Sequence, residues 1–128
     1  MKELIQTADW KSEKHVPVIK LPEQAQKGQP VQVAVTIGAE IPHPNTSEHH
    51  IAWAEVFFHP EGDKFPYLLG RFDFSAHGAS VQGPNTSTVY TAPTVVCTFT
   101  TEKPGTVSAL SYCNIHGLWS SAADLTLQ

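Results

Sequence analysis

Residues Val31-Gln32-Val33-Ala34-Val35-Thr36-Ile37 alternate apolar side chains with small or polar ones, the signature of a half-buried strand. His50 to Phe58 and Tyr67 to Phe74 are rich in aromatic and aliphatic residues, and Thr94 to Thr101 is β-branched. Thr106 to Tyr112, Ala123 to Leu127 and Val16 to Ile19 are shorter strand candidates. Turn residues separate these runs: Pro60-Glu61-Gly62-Asp63, His77-Gly78, Gly83-Pro84-Asn85 and Lys103-Pro104-Gly105. About seven short strands at this spacing predict an all-β, antiparallel sandwich or barrel. No long amphipathic helix is visible, although residues 44–49 have room for one helical turn. The tetrapeptide Pro-Asn-Thr-Ser occurs at 44–47 and again at 84–87. Nothing around the two copies repeats, so it reads as recurring turn chemistry.

The length of 128 residues suits one domain, 1–128, large enough to form a core without disulfides. Hydrophobic residues make up 41% and charged residues 16%, a globular balance. A net charge of −4 with no basic run argues against nucleic acid and anionic membrane as partners. No stretch has the apolar length of a membrane span, and the N-terminus lacks a signal-peptide apolar region. A cytoplasmic protein is therefore expected, with Cys97 and Cys113 as reduced thiols. In that setting the two Asn-Thr-Ser sequences are turns rather than glycosylation sites.

Seven histidines are many for this length, and they gather in loop-like segments beside predicted strands. His15 lies in Glu13-Lys14-His15-Val16-Pro17, and His43 lies between Pro42 and Pro44. His49 and His50 are consecutive, so their side chains should diverge and only one should reach a common site. Cys113 and His116 are three apart, able to bind one ion from a single tight turn, and Gly117 lets the chain pass close to it. The prolines flanking His43 stiffen its backbone and preset its approach. Loops at one end of a rigid β scaffold can bring such positions onto one metal. His59 and His77 are expected to be solvated side chains, and Cys97 a buried strand residue.

Four histidines and a thiolate would make five donors, whereas structural zinc is almost always four-coordinate. Imidazole and thiolate together point to a soft or redox-active ion, with one position left for a small molecule. A cupredoxin-like electron carrier is the main alternative. It would need two histidines, a cysteine and usually an axial methionine, and the only methionine is Met1. A non-catalytic metal-binding β-sandwich is the second alternative.

The strings Glu13 to Pro17, Ile41 to Thr46, Glu48 to Ile51, Ala76 to Gly78, Gly83 to Asn85 and Ser111 to Trp119 together resemble superoxide reductase of the neelaredoxin type, the single-iron relatives of desulfoferrodoxin. The resemblance runs from about Trp10 to Trp119. It implies an immunoglobulin-like β-sandwich with one mononuclear iron per chain. It implies His15, His43, His49 and His116 as equatorial ligands and Cys113 as the axial thiolate. Glu13 corresponds to the carboxylate that fills the sixth position of ferric iron, and Lys14 to the lysine beside the substrate site. The activity implied is reduction of superoxide to hydrogen peroxide with an external donor, commonly rubredoxin. Members of this family form dimers or tetramers, so a homo-oligomer is implied as well. Ferrous iron with four neutral imidazoles and a thiolate carries formally about +1, a local attraction for an anion on a negative protein.

Overall fold

The computed structural model describes residues 1–128. Strand β2, Val31–Ile37, shows the alternation written in its sequence: Val31, Val33, Val35 and Ile37 point inward, all at most 2% exposed. β1 (Pro17–Lys20) and β5 (Thr94–Phe99) pair antiparallel with it on either side, giving a three-stranded sheet. A second sheet has the order β4 (Tyr67–Asp73), β3 (Ile51–Pro60), β6 (Gly105–Cys113), β7 (Gly117–Leu125), again wholly antiparallel. The inner faces share one core, with Val33 and Val35 in the same cluster as Ala54, Val56, Val107 and Ala109. This is the expected immunoglobulin-like sandwich. A single 3₁₀ turn, Lys2–Leu4, is the only helical element.

Two features of the second sheet matter for the site. β6 points Val107, Ala109, Ser111 and Cys113 inward in strict alternation, so Cys113 is its last inward residue. A register shift between Ile51 and Trp53, on the β6 side of β3, resets the alternation, so Ile51 and Ala54 both face inward. Ile51 then lies opposite Cys113.

The structure departs from the sequence reading in places. β7 starts at Gly117, well before the expected Ala123, because it continues directly from a tight hairpin with β6. Residues 44–49 hold no helical turn; 46–49 form bends. Their Thr46 and His49 bond to each other instead, Thr46 N–H to the His49 carbonyl at 2.9 Å and His49 N–H to Thr46 Oγ1 at 3.0 Å. Cys97 sits mid-strand in β5, partly buried against the core, where burial pushes its thiol pKa up.

Antiparallel order settles where the loops go. The start of β1, the end of β2, the start of β3, and the β6–β7 hairpin all lie at one end of the sandwich. Because Ile37 closes β2 in the core beneath that end, Ile37→Ala should lower unfolding free energy by about 2–5 kcal/mol. Gln32→Ala, on the outward face of the same strand, should stay within about 0.5 kcal/mol. Denaturant unfolding of the two variants measures the contrast.

Candidate metal centre

Four of the predicted donors converge. One ligand atom each from His15, His43, His49 and Cys113 lies within 4.8 Å of the others. Two donors on opposite sides of one ion, at roughly 2.0–2.3 Å each, stand about 4–4.6 Å apart, which is the scale of this group. His116 joins from the hairpin: its Nδ1 is 3.1 Å from His15 Nε2 and 3.8 Å from Cys113 Sγ. His116 is exposed, whereas Cys113 is 1% exposed and His15 6%.

The local chain explains each placement. Cys113 pairs with Gly117 across a three-residue loop, and Gly117 has φ +81°. That left-handed conformation is the reason for glycine there. A side chain at Gly117 would meet nothing, so close approach to the site, expected from the sequence, is not what it provides. His116 N–H donates to Cys113 Sγ at 3.3 Å, closing the turn on the sulfur. Asn114 ties this turn to the histidine loop. Its Nδ2 donates to the Glu48 carbonyl at 2.8 Å, and its Oδ1 accepts from His50 N–H at 2.8 Å. Of the consecutive histidines, His49 turns into the pocket and His50 turns away, its ring stacked on His77 at 3.6 Å.

The outer nitrogens of two rings are anchored. The Pro44 carbonyl accepts from His43 Nδ1 at 2.6 Å. A carbonyl carries no proton, so Nδ1 holds the hydrogen and Nε2 presents its lone pair. Glu13 Oε1 does the same for His15, 2.6 Å from Nδ1 and 2.5 Å from the His15 backbone N–H. The predicted catalytic carboxylate thus sits on the outer edge of His15. Lys14 is half-buried, and its charge is one of the causes that depress proton affinity at His15, His43 and His49. His59 lies apart, exposed and bonded to the Asp63 carbonyl.

Two buried side-chain nitrogens lack any hydrogen-bond partner, His43 Nε2 and His49 Nε2, and both face this cluster. Leaving a buried polar atom unmade costs about 1–3 kcal/mol, so a pair pointing at one spot calls for a shared electrophile. A cation with imidazole and thiolate affinity fits the donor set. Burial drives the pKa of His43 down to about 4, and burial likewise lowers His15 and His49. The rings are therefore neutral and ready to ligate near pH 7. At Glu13 burial opposes ionisation, but hydrogen bonds from the His15 backbone and ring outweigh it and hold the pKa below its usual range.

The Desulfoferrodoxin family profile matches residues 7–122. The chain belongs to the desulfoferrodoxin family. Among its relatives, the superoxide reductase of Pyrococcus furiosus is 55% identical, over 96% of this chain and 97% of that protein. The neelaredoxin of Megalodesulfovibrio gigas is 48% identical over 100% of this chain and 98% of its own. The solved structure of superoxide reductase (neelaredoxin) from Archaeoglobus fulgidus in the reduced form superposes with a TM-score of 0.91 at 63% identity. It covers 97% of this chain and 99% of that one. This desulfoferrodoxin-family protein is thus a neelaredoxin-type member with a His/Cys metal-binding group.

Two contributors escape the sequence reading. Gly38, just after β2, has φ +81°, and a Cβ there would lie 2.5 Å from the His43 backbone nitrogen. Its only sequence signal was to end a strand. Trp119 stacks on His15, with ring centroids 4.9 Å apart, and its Nε1 donates to the His116 carbonyl at 3.2 Å. It ends the Ser111 to Trp119 string, with no role assigned to it there.

Gly38→Ala should therefore displace the His43 backbone and leave the purified protein with a clear deficit of bound metal, measured by elemental analysis against the parent. The depressed His43 pKa has a sign that can be checked as well. Between pH 6.5 and about 4 the unfolded chain protonates His43 while the folded chain does not. Metal-free protein thus loses stability from this residue as pH falls through that window, and the loss levels off below about 4. His15 and His49 act in the same direction. The Tm of metal-free His43→Gln should decline less steeply with falling pH than that of the metal-free parent.

Proposed function

We propose that the protein is a superoxide reductase: superoxide, one electron and two protons give hydrogen peroxide. The observation that carries this reading is the pair of partnerless, inward-facing nitrogens of His43 and His49 beside the buried thiol of Cys113. His15, His43, His49 and His116 would hold an iron ion together with Cys113. When bound, that iron would supply the one-electron couple, ferrous to ferric, that superoxide requires.

The chain's own residues account for the rest. Pro44 and Glu13 hold the His43 and His15 rings in the tautomer that offers Nε2. Trp119 braces the His15 ring from behind. Lys14 supplies positive charge at the pocket on a protein of net charge −4, drawing in an anion and holding a proton close to it. Glu13 has two tasks in this reading. In the arrangement seen it fixes His15, and once released its carboxylate would be free to cap the site after turnover and help expel peroxide. An external one-electron donor such as rubredoxin would restore the reduced state. A cytoplasmic setting, which keeps thiols reduced, suits Cys113. No helix is long and apolar enough to cross a membrane.

A cupredoxin-like carrier is not favoured. Met1 is the only methionine and is 70% exposed, so an axial thioether has no candidate.

Pulse radiolysis of the reduced, iron-loaded protein tests the proposal. The parent should consume superoxide in a second-order step and form peroxide, and Cys113→Ser should lose both this reaction and the ferric–thiolate absorption. Lys14→Ala should slow the second-order step by about tenfold or more and flatten its dependence on salt. An iron-replete parent that leaves superoxide to its spontaneous decay would overturn the assignment.

A further inference from the structure

The histidine loop is gripped from outside by a long connection, residues 74–93, between β4 and β5. Both copies of the Pro-Asn-Thr-Ser repeat take part, because the second docks on the first. Asn85 Oδ1 accepts from Ser47 N–H at 2.8 Å, and Ser47 Oγ accepts from Asn85 N–H at 3.2 Å. Asn85 Nδ2 donates to both oxygens of Glu48, at 2.9 and 3.0 Å. Asn85 has φ +58°, the one non-glycine residue of the chain in the left-handed region, which asparagine tolerates better than most.

The second grip is His77. Its ring lies flat on His50, with an interplanar angle of 3°. It lies between two acceptors, Asn45 Oδ1 at 2.9 Å from Nδ1 and the Phe74 carbonyl at 2.5 Å from Nε2, and the neutral ring donates its one N–H to one of them; its own carbonyl accepts from Ser47 Oγ at 3.0 Å. Asn45 Nδ2 donates to the Thr91 carbonyl at 2.8 Å, which fixes which end of that amide faces His77. Gly78 lets the connection fold this tightly, since a Cβ there would lie 2.7 Å from Tyr90 Oη. The gripped residues flank both partnerless histidines: Asn45 follows His43 by two, Ser47 and Glu48 precede His49, and His50 follows it. No residue of the connection is among the five donors.

We propose that this connection is a clamp that presets the metal-binding loop, with Asn85 and His77 as positioning residues that set the affinity of the pocket for its ion. The proposal rests on the reading of the cluster as a metal site, and not on the reaction with superoxide.

Competition for ferrous ion between the metal-free full-length protein and a chromogenic chelator, under anaerobic conditions, tests it. Asn85→Asp sets a carboxylate against Glu48 and should weaken ferrous binding by about 10- to 100-fold, the usual effect of removing an outer support. Adding Glu48→Gln rebuilds an amide–carboxylate pair with its ends exchanged, and should recover most of the loss. His77→Phe keeps a ring on His50 but drops the ring's hydrogen bond, and should weaken binding within the same range. Should Asn85→Asp fail to fold, Asn85→Gly, which accepts φ +58° and loses only the side chain, carries the same expectation. Variants that bind as tightly as the parent, whatever their Tm, would overturn the clamp, as would a double variant no better than Asn85→Asp. A parent that bound no ferrous ion would overturn the metal reading along with it.

Discussion

The pairing of β6 with β3 on one side and β7 on the other is the constraint on which the pocket depends. It sets Cys113 opposite Ile51 and, through the hairpin, opposite Gly117. The sulfur is thereby buried at the last inward position of a strand, and His116 is returned toward it by the turn. Had β6 slipped by one residue, Tyr112 would face the core and the thiol would face outward. The hydrophobic alternation of Val107, Ala109 and Ser111 that stabilises the sandwich is thus also what aims the thiol. Packing and chemistry share one register.

Around that sulfur, polar accounting is nearly complete. The Pro44 carbonyl and the Glu13 carboxylate hold the outward edges of the His43 and His15 rings, and the inward nitrogens of His43 and His49 are left over. Burial makes those rings poor bases toward protons. They therefore stand as neutral donors with free lone pairs, the form in which imidazole ligates a metal ion. Lys14 adds a smaller push in the same direction by disfavouring protonation. In the function proposed above, the same charge would also draw in the anionic substrate.

Much of this was legible in the sequence, for identifiable reasons. β2 was read at its observed bounds because one face of it is buried, which leaves a period-two pattern. The divergence of His49 and His50 followed from backbone geometry alone. The β7 boundary was missed because Gly117 to Ala122 contains small and polar residues facing a half-buried surface, with no clean alternation. Glu13, Gly38 and Trp119 show a different limit. Residue type and spacing suggest that a side chain belongs near a site, but not which atom it grips. Only coordinates show that the Glu13 carboxylate lies on the outer edge of His15, or that Gly38 makes room for the His43 backbone. His77, expected to be solvated, is half-buried, because Asn45 and His50, which it meets, lie in a loop distant in sequence.

The hydrogen bonds that orient the His43 and His15 rings run to the chain itself. A cage of this kind does little to discriminate among visitors. Imidazole and thiolate bind copper and zinc at least as tightly as iron across the first transition row. If iron is the resident, its presence reflects which ions the cell keeps in free supply, and overproduction in a zinc-rich host would yield a well-folded protein loaded with the wrong metal.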